Sequence, residues 1–298
     1  MKSPLFTGSG VAIVTPFQGD TVDLTAMGKL IDYQLENGTD AIIVCGTTGE
    51  ASTMTYRERM HTVEFCINYV DGRVPVIAGS GSNNTANAIT LSRDAEEAGA
   101  DGLLIVTPYY NKATQQGLIR HYEAIADSVD LPVILYHVPS RTGVTFAAET
   151  YAVLSRHPNI IGVKEASGNL SLVQKTRNLC PEDFYIWSGN DDETVPICVL
   201  GGMGVISVVA NVLPKEMHEL VSLCLENKFR EAGELQLKLK EFCDAMFCEV
   251  NPIPVKTALN LIGRETGDLR LPLCEPTAAN REHIRQTLLK YGLTVAEE

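Results

Sequence analysis

Short apolar runs alternate with longer amphipathic stretches along most of this 298-residue chain. The apolar runs lie at 10–15, 41–46, 75–79, 102–107, 132–138, 160–165, 185–188 and 204–209. Several are rich in Val and Ile, which suit a pleated, buried surface. Between them, apolar positions recur at helical spacing over 24–37, 56–70, 85–98, 117–128, 147–156, 171–178, 192–200 and 214–226. Eight strand–helix units in series predict an α/β fold, and favour a closed (β/α)8 TIM barrel over an open doubly wound sheet. No G-x-G-x-x-G opens the first unit, which weakens a dinucleotide-binding sheet. After residue 226 the strand pattern stops. Helical periodicity over 229–246, 254–262 and 277–291, punctuated by Pro252, Pro254, Pro272 and Pro276, predicts a small appended bundle. The expected organisation is a barrel domain over 1–226 and a C-terminal α-helical domain over 227–298, with 294–298 as a frayed end.

Lys164 breaks the pattern. Ile160, Ile161 and Val163 lead into it, so it falls in a run that reads as a buried strand. Taking an ammonium out of water is costly, and a buried lysine tends to lose its proton. The neutral amine attacks a ketone or aldehyde to form a Schiff base. The competing reading is a structural ion pair with Glu165 or another carboxylate, which also shifts a pKa. The strand by itself leaves both open.

In a barrel of this kind, chemistry gathers at the C-terminal ends of the strands. The second strand runs into Gly46-Thr-Thr-Gly-Glu50, where hydroxyls and glycine-flanked N–H groups suit a carboxylate, or form a plain turn. The fourth leads to Tyr109 and Tyr110, and an aromatic pair is more often packing than catalysis. The fifth holds Tyr136, whose hydroxyl needs a buried partner, and is followed by Arg141. Arg141 can grip a carboxylate bidentately or form a surface ion pair. His137 follows Tyr136, so the pleat turns it to the other face, as packing or support. The seventh strand ends in Ser188-Gly-Asn-Asp191 and the eighth in Ile206-Ser-Val-Val-Ala-Asn211. Together these groups suit a carbonyl substrate that carries a carboxylate.

Composition narrows the field. A formal net charge of −13 with no basic cluster argues against nucleic acid and anionic membrane surfaces. No apolar run is long enough to span a bilayer, and the N-terminus lacks the features of a signal peptide. Eight cysteines without a Cys-x-x-Cys pair read as reduced thiols, with no disulfide framework and no metal site. A cytoplasmic enzyme is expected.

The stretches AIVTPF, GTTGE, PVIAGSGSNNTANAI, VTPYYN, ILYHVPSRTG, IIGVKEASGNL, SGND, GGMGVISVVAN, NPIPVKTALNLIG and LRLPL follow one another from about residue 8 to 275. In that order the chain resembles the dihydrodipicolinate synthase family of pyruvate-dependent, class I aldolase-like lyases. The resemblance implies condensation of pyruvate with L-aspartate 4-semialdehyde, the first committed step of the diaminopimelate route to lysine. No cofactor or metal is implied, because the lysine serves as electron sink. Lys164 resembles the imine-forming lysine, Tyr136 its proton donor and acceptor, and Thr47 and Tyr110 the rest of the hydroxyl relay. In the family the tyrosine matching Tyr110 reaches into a neighbouring subunit's site, and the usual assembly is a homotetramer, a dimer of dimers. Thr48, Ile206 through its backbone, and Gly189 resemble substrate-binding positions, and Arg141 resembles the residue that holds the semialdehyde carboxylate. Arg141 favours this reading over N-acetylneuraminate lyase or 2-keto-3-deoxy sugar acid aldolase relatives. A catalytically silent barrel is the remaining alternative, opposed by the intact lysine, tyrosine and arginine.

Two departures stand out. His137 occupies a position where many members have asparagine, within an intact motif, so an unchanged reaction is expected. The resemblance also places a lysine effector site at Ala51, Ser52, Tyr56, Arg59, Asn83, Asn87 and Tyr109. Lysine-sensitive members carry an acidic residue where Asn87 stands, and often a histidine where Arg59 stands. Losing a carboxylate and gaining a cation weaken binding of a cationic effector. Weak or absent inhibition by lysine is expected.

Overall fold

A computed structural model describes residues 1–296. Eight parallel strands close into a barrel. Around it run β1 (Gly8–Ala12), β4 (Ala41–Val44), β5 (Val76–Gly79), β6 (Gly102–Val106), β7 (Val133–His137), β8 (Ile160–Glu165), β9 (Tyr185–Ser188) and β10 (Gly204–Ser207), which pairs back onto β1. The expected fold is the observed one. The strands are buried on both faces, which explains why they read as continuous apolar runs rather than alternating ones. An inner cluster with Phe6, Ile43, Ile134, Trp187 and Ile206 fills the barrel, and a larger one packs the strands against the helices.

The barrel helices are α1 (Leu24–Glu36), α2 (Tyr56–Val70), α3 (Thr85–Glu97), α4 (Gln115–Ala126), α5 (Pro139–Thr142), α6 (Ala148–Leu154), α7 (Leu170–Leu179), α8 (Thr194–Val199) and α9 (Pro214–Leu225). Local chemistry starts several of them. Thr55 and Glu58 form a reciprocal capping box on α2, and Asp23, Asn84, Thr114 and Asn169 cap α1, α3, α4 and α7.

Three details of the strands differ from the sequence pattern. The last barrel strand ends at Ser207 rather than 209, because Asp191 accepts the N–H groups of Val208 and Val209 at 3.1 and 3.2 Å and turns the chain into a short 3₁₀ segment. The first strand lies at 8–12 rather than 10–15, and Val14 N–H donates to Asn211 Oδ1 instead of to a strand. A small antiparallel ribbon, β2 (Phe17–Gln18) with β3 (Thr21–Val22), was not legible in the pattern.

Beyond the barrel come α10 (Phe229–Met246), α11 (Ile253–Leu261) and α12 (Ala278–Lys290). Their apolar faces share the larger core cluster with the barrel shell, through Leu239, Phe242, Leu259 and Leu288. The segment after α11 then returns to β2. Phe17 N–H donates to Thr266 O at 3.0 Å. Gly267 has φ +65°, and a Cβ there would stand 1.7 Å from Phe17 O, so only glycine allows the contact. The expected fraying at 294–298 is corrected in part. Val295 packs on the core and Ala296 N–H donates to Leu261 O at 2.8 Å, while 297 and 298 lie outside the described residues. Among the described residues, no helix is long and apolar enough to cross a membrane.

Candidate active site

Lys164 and Tyr136 stand side by side on adjacent strands, as Cα partners in the β7–β8 register. The Lys164 Nζ lies 4.4 Å from the centroid of the Tyr136 ring. Among the described residues no carboxylate forms an ion pair with Lys164, which is only 4% exposed. Burial lowers its pKa to about 8, with the nearby Asp191 charge acting against the shift and the Arg141 charge adding to it. Burial also raises the Tyr136 phenol, while the Arg141 charge and a hydrogen bond from Thr47 favour its ionised form.

The pairing of Lys164 with Glu165 is overturned by the pleat. Glu165 points to the opposite face, where it faces His137 Nδ1 at 3.1 Å. Phe146 N–H donates to His137 Nε2 at 3.3 Å, so Nδ1 carries the proton and donates to the carboxylate. Tyr151 OH and Ser167 N–H complete the shell of Glu165 at 3.3 and 2.8 Å. His137 therefore supports the back of the strand pair, as its position in the pleat implies.

A cavity of about 240 Å³ opens at the strand ends. Thr47, Tyr136 and Arg141 line it together with Ala51, Ser52, Arg59 and Tyr109. Lys164 is not part of that lining; Tyr136 is its neighbour there. Thr48 lies buried beside it, accepting from Asn251 Nδ2 at 3.0 Å. Arg141 sits on α5, a short helix absent from the sequence pattern, opened by Pro139. It forms no ion pair among the described residues, and its guanidinium donates to Asn251 O at 3.1 Å. Gly189 N–H donates to Glu165 O at 2.7 Å, and a Cβ at that position would lie 3.1 Å from Lys164 Cε, so glycine leaves space beside the amine. Ile206 is buried inside the barrel on β10.

Tyr110 is not brought to Tyr136. It is 90% exposed, with φ +72°, an unusual conformation for a bulky residue. The seven positions matched to an effector site divide. Ala51, Ser52, Arg59 and Tyr109 line the cavity, whereas Tyr56 OH donates to Asp94 at 2.6 Å, Asn87 Nδ2 to Ser82 Oγ at 3.2 Å and Asn83 Nδ2 to Tyr109 O at 3.2 Å. Arg59 donates to Gly79 O and forms no ion pair among the described residues.

Three residues with parts at this site were missed in the sequence. Asp191 lies in a run that stood out, yet its buried carboxylate holds the turn after β10 through Ser207 and two N–H groups. Asn251 joins Thr48 to Arg141, and its buried Oδ1 has no partner among the described residues. Lys256 pairs with Glu50 at 2.8 Å, both of them buried. Lys256 carried the signal that exposed Lys164, a lysine in an apolar run, but on a helix. Among the described residues, no cluster of three or more His, Cys, Asp or Glu has metal-holding geometry.

The profile of the Dihydrodipicolinate synthetase family matches residues 5–291. The chain is 52% identical to the 4-hydroxy-tetrahydrodipicolinate synthase of Thermoanaerobacter sp. (strain X514), over 97% of this chain and 98% of that protein. It is 53% identical to the enzyme of the same name from Caldicellulosiruptor saccharolyticus, over 99% of this chain and all of that one. The crystal structure of dihydrodipicolinate synthase from Aquifex aeolicus superposes with a TM-score of 0.96 at 44% identity, covering 98% of this chain and all of that one.

Proposed function

Since the chain belongs to the Dihydrodipicolinate synthetase family, we propose that it acts as a 4-hydroxy-tetrahydrodipicolinate synthase, with an imine between pyruvate and Lys164 as its central intermediate. The observation that carries the reading is a buried lysine with no carboxylate partner among the described residues, in register with a buried tyrosine and with Arg141 on the same cavity.

Neutral Lys164 attacks the pyruvate ketone, and water leaves to form the imine. Thr48 and the glycine-flanked N–H groups of its loop hold the pyruvate carboxylate. The cationic imine draws electrons from the methyl group, which loses a proton to give the enamine. Tyr136 relays that proton, with Thr47 orienting its hydroxyl. The enamine carbon then attacks the aldehyde of L-aspartate 4-semialdehyde, whose carboxylate Arg141 positions. The substrate amine displaces Lys164 and closes the ring, which frees the lysine for the next turnover.

The barrel domain, residues 1–226, carries this chemistry, and the helical domain that begins at 227 braces it. Tyr110, exposed and held at positive φ, joins the relay of a second copy, in a homotetramer built from tight dimers. The enzyme works in the cytoplasm, where its eight free thiols stay reduced.

Borohydride reduction in the presence of pyruvate tests the core of the reading. A pyruvyl adduct on Lys164 is expected by peptide mass mapping; an unmodified Lys164 with label elsewhere overturns it. Condensation with the semialdehyde, measured against cleavage of N-acetylneuraminate and 2-keto-3-deoxygluconate, separates this activity from its sugar-acid relatives.

A further inference from the structure

The loop that carries Thr47 and Thr48 has little secondary structure of its own. Cys45 and Glu50, at its two ends, both adopt left-handed backbone, with φ of +53°. Its outer end is held by side chains from elsewhere. Thr15 Oγ1 donates to Gly49 O at 2.7 Å. Glu50 is 2% exposed and meets two donors, Lys256 Nζ at 2.8 Å and Arg270 N–H at 3.1 Å. Lys256 in turn donates to Thr15 O at 3.1 Å and to Asp268 O at 2.8 Å. Asn251, five positions before Lys256, donates to Thr48 Oγ1 and receives Arg141 on its carbonyl. Phe17 lies against both cations, with Lys256 Nζ at 4.6 Å and Arg270 Cζ at 4.0 Å from its ring centroid.

We propose that Lys256 and Glu50 form a buried latch by which the segment 251–270 positions the Thr47–Thr48 loop for pyruvate, making both of them positioning residues for the reaction. A buried ion pair is a poor source of net stability, since an apolar pair of similar size often does as well. What it supplies is direction. The carboxylate must meet Lys256 and the Arg270 amide at once, which sets the end of the loop two residues beyond Thr48. Asn251 holds Thr48 itself, so one segment grips the loop at two points. The latch explains how a helix outside the barrel reaches the chemistry without touching the reacting atoms. It rests on the role proposed for Thr48.

The test compares Lys256→Met, the double variant Glu50→Gln/Lys256→Met, and Asn251→Ala with the wild-type enzyme. Melting temperature, KM for pyruvate, kcat and the rate of borohydride trapping on Lys164 are measured for each. Lys256→Met is expected to lose stability, because Glu50 is left buried without its cation. The double variant is expected to regain most of the melting temperature while KM for pyruvate stays raised roughly tenfold or more, since small misplacements of binding groups are costly. A double variant with wild-type stability and wild-type KM for pyruvate overturns the latch and leaves a purely structural pair. If the double variant does not fold, Asn251→Ala decides. It leaves the ion pair intact, and an unchanged KM for pyruvate in it overturns the proposal. Trapping on wild-type Lys164 is scored separately, so a failure of the latch is distinguishable from a failure of the imine reading.

Discussion

Among the described residues two lysines are buried, each resting over an aromatic ring, and their surroundings are opposite. Lys164 on β8 lies 4.4 Å from the Tyr136 centroid, and Lys256 on α11 lies 4.6 Å from that of Phe17. Burial lowers both pKa values. Lys256 has a carboxylate at 2.8 Å and two backbone carbonyls, so its charge is matched and its donors are occupied. Among the described residues Lys164 has none of these, and feels Asp191 only through space. Burial alone therefore does not make a lysine a nucleophile. Burial without a partner is what the proposed imine role requires, because the neutral amine then becomes accessible near physiological pH.

The comparison breaks most sharply under substitution. Lys164→Ala is expected to lower kcat/KM by about 10⁴-fold or more, with little loss of stability, since it removes an unpaired buried charge. A coupled condensation assay beside calorimetry checks both halves. Lys256→Met is expected to cost about 3–5 kcal/mol of stability in denaturant unfolding, because it strands the Glu50 charge. If Lys164→Ala destabilises as much as Lys256→Met, the contrast between the two lysines fails. Tyr136→Phe keeps the ring over Lys164 but removes the hydroxyl proposed to relay protons, and an expected loss of about 10²–10³-fold in kcat is read by steady-state kinetics.

The pH dependence sharpens the contrast further. The rate of imine trapping is expected to rise with pH to a plateau above about 8, where Lys164 becomes neutral. Asp191→Asn removes the charge that favours the ammonium, so this limb is expected to move to lower pH; a shift upward counts against the assignment. The same group makes a stability prediction. Its folded pKa is about 8 and its ordinary value 10.5, so the unfolded chain binds more protons between the two. Stability conferred through Lys164 therefore rises with pH across that window and is absent below it, and Lys164→Ala is expected to lose the rise. The smallest effect concerns regulation. With Arg59 on the cavity and Asn87 bonded to Ser82, millimolar lysine is expected to leave the rate nearly unchanged, and a half-effect well below millimolar contradicts this.

Much of this contrast was legible in the linear pattern on one side only. Lys164 stood out because a strand buried on both faces leaves no ordinary place for a lysine, and the alternation after Tyr136 correctly put His137 on the far side. Lys256 does not stand out, because helices carry lysines routinely and the pattern does not say which face is covered. The contacts of Asp191 and Asn251 are not legible for a related reason. Their partners lie 16 to 18 residues away for Asp191, and 110 and 203 away for Asn251. No local periodicity records such a contact.

The amino-acid sequence by itself determined the eight-fold alternation of strand and helix, hence the barrel, and the placing of polar residues at the strand ends. These follow from short-range rules, the period of apolar residues and the β-branched content of the runs. The tertiary structure alone decided which buried charge is matched and which has no carboxylate in contact among the described residues. That choice depends on distances between segments far apart in the chain, such as Glu50 against Lys256 and Glu165 against His137 instead of Lys164. Coulomb energy and desolvation act through space, so only the closed barrel, with its C-terminal segment folded back over it, distinguishes the two lysines.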